Sequence, residues 1–112
     1  KAHEISILNV EGRVSYSDCF VICSGMTTRQ VSAIAEHVLT SLKQDHDIRP
    51  LGVDGVSQGK WALLDLGHVI VHIFEATLRS YYDLDGLWVD VPRVTLDSLG
   101  LESSEPEVMT LP

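Results

Sequence analysis

Residues 61–74, WALLDLGHVIVHIF, decide how this chain folds. Two apolar runs rich in β-branched residues flank Gly67-His68, and this pattern predicts a tight β-hairpin. Nearly every position in both runs is apolar, which predicts two strands covered on both faces in the middle of a sheet. If Gly67-His68 forms the turn, Trp61 and Phe74 lie together near the same edge of the sheet.

The composition indicates one small, acidic domain. The chain has 112 residues, of which 45% are hydrophobic, enough for a single core. Its 16 acidic residues outnumber 8 basic ones and give a net charge of −8. This balance argues against direct nucleic-acid binding, which requires a basic surface. It suits a basic partner instead, and ribosomal proteins are an abundant cytosolic class of such partners.

The sequence predicts neither a membrane contact nor an oxidising compartment. No segment approaches the roughly 18–20 unbroken apolar residues that a membrane span needs, and the first residues show no signal-peptide pattern. Cys19 and Cys23 lie four positions apart in a predicted strand, which separates them by about 13 Å. That distance excludes a disulfide or a shared metal, so we expect two reduced thiols in a cytoplasmic protein.

Three further segments carry clear signals of secondary structure. Apolar runs at 5–10 and 19–24 predict two strands. Thr27 and Gln30 form a capping-box pattern ahead of an apolar stripe with helical spacing. This pattern predicts a long helix that ends in a polar turn at 44–47.

The remaining segments predict shorter elements. Residues 51–59 are rich in glycine and predict a short edge strand followed by a loop. A short helix is predicted at 75–82 and a further helical turn at 84–88. A last edge strand is predicted at 89–92, where proline is tolerated.

The predicted order of elements is β-β-α-β-β-α-β, an α/β arrangement in which helices pack on a mixed central sheet. We expect this folded domain to span residues 1–92. Residues 93–112 are rich in Ser, Glu and Pro and predict an acidic, poorly ordered tail.

The junction Ser24-Gly25 leaves two interpretations open. It joins a buried strand to a helix N-terminus, where free amide N–H groups can bind phosphate. The segment lacks the second glycine and the Lys-Ser/Thr pair of a Walker motif, and it is not a dinucleotide fingerprint. One interpretation is a turn with a helix cap. The other is a nucleotide-binding or nucleotidyltransferase-like enzyme that uses the junction as a phosphate cradle.

Asp65, His68 and His72 do not predict a compact metal or acid–base site. Asp65 and His68 flank the predicted turn, whereas His72 lies four residues along the next strand, roughly 13 Å from His68. A histidine on an apolar strand face is usually structural, and no CxxC or HxxxH pattern predicts zinc. We therefore expect no catalytic residue, no metal and no cofactor.

The main aromatic set consists of Trp61, Phe74, Tyr81, Tyr82 and Trp88. These residues predict either core packing or an exposed anchor at a protein interface, where Trp and Tyr are favoured. A mixture of aromatic and acidic residues fits a patch facing basic side chains better than an active-site cleft. The acidic residues among them are Asp83, Asp85 and Asp90.

Five segments together carry a family resemblance. They are DCFVICSG at 18–25, RQV at 29–31, GKWALLDLG at 59–67, VIVHIF at 69–74 and YDLDGLW at 82–88. In order and in spacing they resemble the ribosomal silencing factor family, also called RsfS or Iojap, over about residues 4–92. One difference is His68, since the family usually has Asp after the hairpin glycine.

The resemblance implies a fold similar to the nucleotidyltransferase superfamily without its catalytic carboxylates, and hence no enzymatic activity. It implies a protein that binds the large ribosomal subunit through its fourteenth protein, at the face that meets the small subunit. Occupying that face would block subunit joining and repress translation when nutrients are scarce, as in stationary phase. No readout of nucleic-acid sequence is implied.

We expect the contact with the ribosomal protein to lie around one end of the sheet. Aromatic residues would supply desolvated anchors there, and carboxylates would orient against Lys or Arg. Sheet edges and an aromatic patch can also pair symmetrically, so a homodimer is a further prediction. The predicted contact residues are Trp61, Asp65, His72, Phe74, Tyr82, Leu87, Trp88 and Asp90, with Ser24, Arg29 and Gln30 nearby.

Overall fold

A five-stranded mixed sheet carries the fold, in a computed structural model that describes residues 2–94. The strand order is β1-β2-β5-β4-β3, and every neighbouring pair is antiparallel except β2 and β5, which are parallel. This arrangement confirms the predicted fold class. The elements are β1 (His3–Asn9), β2 (Cys19–Gly25), α1 (Thr28–His46), β3 (Gly52–Asp54), β4 (Trp61–Asp65), β5 (Val69–Glu75), α2 (Ala76–Tyr82) and α3 (Leu84–Leu87).

The predicted hairpin is formed by β4 and β5. Leu66 N donates to Val69 O across the turn at 2.9 Å, and Trp61 pairs with Phe74 at the other end of the two strands. Five consecutive residues of β5 are buried, as expected for a strand covered on both faces. In β4 only alternate residues are buried. The prediction of two covered faces is therefore right for β5 and wrong for β4.

Helix α1 begins and packs as its sequence predicts. Thr27 Oγ1 accepts a hydrogen bond from Gln30 N at 3.1 Å, and Gln30 Oε1 accepts one from Met26 N at 2.9 Å. The helix ends at His46, and its C-cap Asp47 adopts the left-handed conformation with φ 54°. Its apolar stripe packs against one face of the sheet. The buried residues of this core include Val31, Ile34 and Ala35 of α1 and Cys23, Ala62, Leu64, Val71 and Ile73 of the sheet.

A second core lies on the opposite sheet face. Its buried sheet residues are Leu8, Phe20, Ile22, Ile70 and Phe74, joined by Val10 and Val91. Leu84 of α3 and the following Trp88 pack against it. The segment after β5 therefore covers part of this face, while residues of β4 on the same face are only half-buried.

The predicted closing strand at 89–92 is wrong. Residues 88–90 form a turn, and pairing with β1 begins only afterwards. There Asn9 N donates to Pro92 O at 2.9 Å and Val94 N donates to Ile7 O at 2.8 Å, on either side of a single Leu8–Arg93 bridge. Pro92 has no N–H to donate, which displaces the pairing toward the C-terminus. The predicted tail lies outside the described residues from position 95 onward.

The remaining short elements agree closely with their predictions. The edge strand expected within 51–59 is β3, and the helix expected at 75–82 is α2, with Glu75 as its N-cap. Cys19 and Cys23 are free thiols, as predicted. Burial raises the pKa of the Cys23 thiol to about 11, so this sulfur stays protonated and unreactive at neutral pH.

Candidate protein-binding surface

Six aromatic rings form a continuous band across the sheet face opposite α1. Trp61 and Phe74, paired on neighbouring strands, have ring centroids 4.7 Å apart. The Tyr82 ring lies 5.1 Å from Trp61, which extends the band onto α2. Such separations are typical of favourable aromatic pairs. We call this set the aromatic band; its members are Phe20, Trp61, His72, Phe74, Tyr82 and Trp88.

The aromatic band has a buried floor and an exposed end. Phe20 and Phe74 are buried, and Trp61 is half-buried. Tyr82 is 52% exposed, and Leu87, in the following helix, is 70% exposed. Large apolar side chains that stay in solvent beside well-packed rings are typical of protein contact sites.

A hydrogen bond across the hairpin fixes the centre of the aromatic band. Trp61 Nε1 donates to His72 Nδ1 at 3.2 Å, which places the imidazole proton on Nε2. His72 is buried, and this burial lowers its pKa to about 4. Its Nε2 has no hydrogen-bond partner among the described residues. The Phe20 ring lies edge-on to the imidazole at 5.3 Å. The ring is therefore neutral and structural, as predicted for a histidine on an apolar strand face.

The three acidic residues near the band have different roles. Asp85 forms a two-pronged ion pair with Arg79, and hydrogen bonding from Arg79 lowers the pKa of Asp85. Asp90 forms an exposed ion pair with Arg13 at 3.0 Å. Asp83 Oδ1 caps α3 by accepting from Gly86 N. Asp83 and Asp90 are exposed to solvent, whereas Asp85 is half-buried and bound to Arg79.

The structure brings together most of the predicted contact residues. Five of them belong to the aromatic band, and Leu87 and Asp90 lie close along the chain to Trp88. Asp65 does not join them: it sits at the turn end of β4, about 13 Å from Trp61 along the strand. There its Oδ1 accepts a hydrogen bond from Gly67 N at 2.9 Å, so its role at this end is to stabilise the turn.

Ser24 lies beside the aromatic band, paired with Phe74 on the neighbouring strand, whereas Arg29 and Gln30 lie apart from it. Arg29 and Gln30 are in the first turn of α1, which packs on the opposite face of the sheet. Ser24 Oγ accepts a hydrogen bond from Arg79 Nη1 at 3.0 Å. The strand β2 thus brings Ser24 to the band, whereas helix α1 carries Arg29 and Gln30 to the opposite face of the sheet.

The Ser24-Gly25 junction gives no support to a phosphate cradle. The backbone N–H groups of Met26, Gln30 and Val31 each already have an acceptor within the protein. A Cβ on Gly25 would meet Val31 N at 2.9 Å, so strand and helix are in close contact there. An open cleft of about 410 Å³ lies beside Ser24, with Arg79 in its lining. The junction is a turn with a helix cap.

Arg79 is not among the residues that the sequence predicts. Three of its hydrogen-bond partners, Glu4, Ser6 and Ser24, lie 75, 73 and 55 positions away in the chain. No local pattern marks it, because an arginine in a short helix is usually solvated. Its role becomes visible only when the sheet and the following helices are assembled.

Two classes of site receive no support in residues 2–94. No three His, Cys, Asp or Glu side chains in this range are grouped closely enough to hold a metal ion. No helix in the same range is both long and apolar enough to cross a membrane.

Known proteins resemble the chain over nearly its whole length. A family model described as "Ribosomal silencing factor during starvation" matches residues 1–110, past the last motif at 82–88. The ribosomal silencing factor RsfS of Halalkalibacterium halodurans is 40% identical over 99 residues, which cover 88% of this chain and 84% of that protein. A crystal structure from Bacillus halodurans has a TM-score of 0.72 at 41% identity and covers 86% of each chain.

A eukaryotic relative is more distant. The mouse protein named "Mitochondrial assembly of ribosomal large subunit protein 1" is 28% identical over 114 residues, which cover 99% of this chain. The matched region is 47% of that longer protein.

Proposed function

The chain belongs to the ribosomal silencing factor family, and from this premise we propose that it binds the large ribosomal subunit through the subunit's fourteenth protein. Bound at the face that meets the small subunit, it blocks subunit joining by occupying space. Translation is repressed when nutrients are scarce, and no bond is made or broken. The protein acts in the cytoplasm, where the ribosomes are.

Names of the relatives support a role on the large subunit. Several bacterial relatives carry the name ribosomal silencing factor, and the mouse protein is named for assembly of the large subunit. These names describe regulation and assembly rather than catalysis. They agree with a chain that exposes Tyr82 and Leu87 at one end of the aromatic band.

The observation that carries the proposal is the exposed end of the aromatic band. Tyr82 and Leu87 are exposed beside the half-buried Trp61 and Trp88. Aromatic anchors of this kind supply most of the free energy at many protein interfaces. Exposed carboxylates nearby, Asp90 among them, and the net charge of −8 suit a basic ribosomal protein and speed its encounter.

The experiment is co-sedimentation with isolated large subunits, followed by addition of small subunits. We expect the protein to sediment with large subunits, not with small ones, and to reduce the fraction of joined ribosomes. A pull-down with the purified fourteenth protein should retain the chain. Normal joining at saturating protein would contradict the mechanism, and failure to retain the chain would contradict the choice of partner.

A substitution in the aromatic band tests where the contact lies. Trp61→Ala removes a ring that contacts Phe74 and Tyr82, and we expect it to weaken binding by roughly 1–3 kcal/mol. Circular dichroism must show that the variant is folded. Unchanged binding by a folded Trp61→Ala protein would place the contact elsewhere.

A homodimer through the same band is part of the proposal. Two copies of an exposed aromatic patch can pair about a two-fold axis, and such a dimer would hide the ribosome contact. Sedimentation velocity across a dilution series should then show dimers dissociating as repression of subunit joining rises. Equal repression per chain at all dilutions would argue against a competing dimer.

A further inference from the structure

Arg79 connects four elements of the fold through one buried guanidinium group. Its side chain is 12% exposed and lies on α2. Nε and Nη2 donate to the two carboxylate oxygens of Asp85, each at 3.0 Å. Nη1 donates to Glu4 O at 2.6 Å and to Ser24 Oγ at 3.0 Å, and Nη2 donates to Ser6 Oγ at 3.1 Å. All five N–H donors of an arginine are thereby used.

Helix α3, which Asp85 belongs to, needs external support. It has four residues, a single turn, and one turn of helix is unstable by itself in water. The chain reverses sharply before it, since Asp83 adopts the left-handed conformation with φ 50°. Two contacts hold α3 on the sheet: the apolar packing of Leu84 and Trp88, and the ion pair between Asp85 and Arg79.

The same short helix presents part of the proposed contact surface. Leu87 is its last residue and is 70% exposed. Trp88 follows at once, and its ring packs edge-on against Phe20 at 5.6 Å. Any loosening of α3 therefore moves the side chains that would meet the ribosomal protein.

We propose that Arg79 is the positioning residue of the binding surface: it holds α3 through Asp85, so that Leu87 and Trp88 are ordered before the partner arrives. This inference rests on the proposed function, because it assigns those two side chains to the ribosome contact. A surface that is ordered beforehand binds more tightly, since less conformational entropy is lost on binding. Arg79 itself is largely buried, and its N–H donors are all engaged within the protein.

The fork shape of the guanidinium is essential to this role. Two parallel N–H groups match the two oxygens of Asp85, while the remaining donors reach β1 and β2. A lysine keeps the charge but has three donors on one atom and cannot span these partners. Arg79→Lys is thus expected to behave as a loss of function rather than as a conservative change.

The test compares Arg79→Lys and Asp85→Asn with a surface control, Arg49→Lys, at an exposed position between α1 and β3. Binding to isolated large subunits is measured well below the unfolding temperature. We expect Arg79→Lys and Asp85→Asn each to raise the dissociation constant about tenfold. Arg49→Lys should leave it unchanged. Asp85→Asn keeps the side-chain volume, so this variant still tests the positioning role if Arg79→Lys fails to fold.

Amide hydrogen exchange separates positioning from general destabilisation. In both variants the amides of Gly86, Leu87 and Trp88, which are bonded within α3, should exchange at least tenfold faster. The amides in the centre of β5 should keep the protection seen in the parent protein. A purely structural role would instead raise exchange in both places and leave affinity intact for the molecules that remain folded.

Three results would overturn the inference. If Trp61→Ala weakens binding but Arg79→Lys and Asp85→Asn bind normally, the surface is right and the positioning role is wrong. If folded Trp61→Ala also binds normally, the proposed surface is wrong and the positioning role falls with it. Unchanged exchange at α3 in the Asp85→Asn protein would likewise contradict the proposal.

Discussion

The indole N–H of Trp61 donates to Nδ1 of His72 over 3.2 Å, and this bond joins a half-buried ring to a buried one. The acceptor must be unprotonated, so the bond requires a neutral imidazole. Burial lowers the pKa of His72 to about 4, which keeps the ring neutral at physiological pH. The orientation of Trp61 in the aromatic band therefore depends on the charge state of its neighbour.

This relationship predicts that stability falls as the solution becomes mildly acidic. The ordinary histidine pKa of 6.5 applies to the unfolded chain, while the folded value is about 4. Between these values the unfolded chain binds the proton and the folded one does not, so acid favours unfolding. We expect the free energy of unfolding to decrease from about pH 6.5 down to about pH 4, by at most about 3 kcal/mol. Urea denaturation at a series of pH values measures this decrease in the free energy of unfolding.

His72→Gln removes the titrating group at this position and should remove most of the slope in that pH range. His37→Gln, at an exposed position in α1, is the matched control and should keep the slope of the parent protein. An unchanged slope in the His72→Gln protein would mean that other groups cause the acid sensitivity.

Two exposed leucines test which end of the sheet meets the ribosome. Leu87 is 70% exposed next to the aromatic band, and Leu51 is 77% exposed next to Asp65, to whose carbonyl Leu51 N donates. Truncating either to Ala should change stability by less than about 0.5 kcal/mol. We expect Leu87→Ala to weaken binding to large subunits by about 1–2 kcal/mol and Leu51→Ala to leave it unchanged. The reverse ranking would place the contact at the hairpin turn.

A glycine in the loop before β4 is expected to be intolerant of substitution. Gly59 has φ +71°, and a Cβ there would overlap the carbonyl of Thr28 and the side chain of Ser32. Gly59→Ala should therefore cost about 3 kcal/mol or more, from backbone strain and from displacement of the loop against α1. Thermal and urea unfolding measure the loss.

Gly12→Ala provides the matched control for that substitution. Gly12 has φ +82° but nothing within 4 Å of the added Cβ, so only the backbone strain of about 1 kcal/mol should appear. Equal losses at the two glycines would show that the contact between the loop and α1 contributes nothing.

Thr27 is predicted to contribute to stability as the cap of α1. Its Oγ1 accepts from Gln30 N at 3.1 Å, so Thr27→Ala should cost about 1 kcal/mol. Thr40→Ala, at an exposed position within the same helix, should be neutral or slightly stabilising because alanine is the better helix former. Chemical denaturation should show a lower free energy of unfolding for Thr27→Ala and an unchanged or slightly higher one for Thr40→Ala.

Local signals account for the parts of the fold that the sequence predicts. The hairpin turn at Gly67 and the cap at Thr27 act within a few residues, so their patterns identify β4, β5 and α1 directly. The closing strand at 89–92 depends on tertiary packing, where Val91 is buried against the second core and Pro92 cannot donate. Propensity alone cannot anticipate that shift of pairing to Arg93.

The site is predicted less completely for a related reason. Trp61, Phe74 and Tyr82 are identifiable because large aromatic residues cluster in the motifs. Asp65 shares a motif with Trp61 but lies at the other end of its strand, and motif membership carries no information on that distance. Arg79 escapes prediction because its partners come from β1 and β2, far away along the chain.

The parallel pairing of β2 and β5 sets the order in which the chain can fold. Cys19 lies opposite Val69 and Gly25 opposite Glu75, so each pair joins positions about 50 residues apart in the sequence. During synthesis one edge of β2 has no neighbouring strand until the chain has been made as far as residue 75, the end of β5. A fragment that stops before β5 would hold two separate two-stranded ribbons, β1-β2 and β3-β4, each marginally stable at best, together with a helix that has little to pack against.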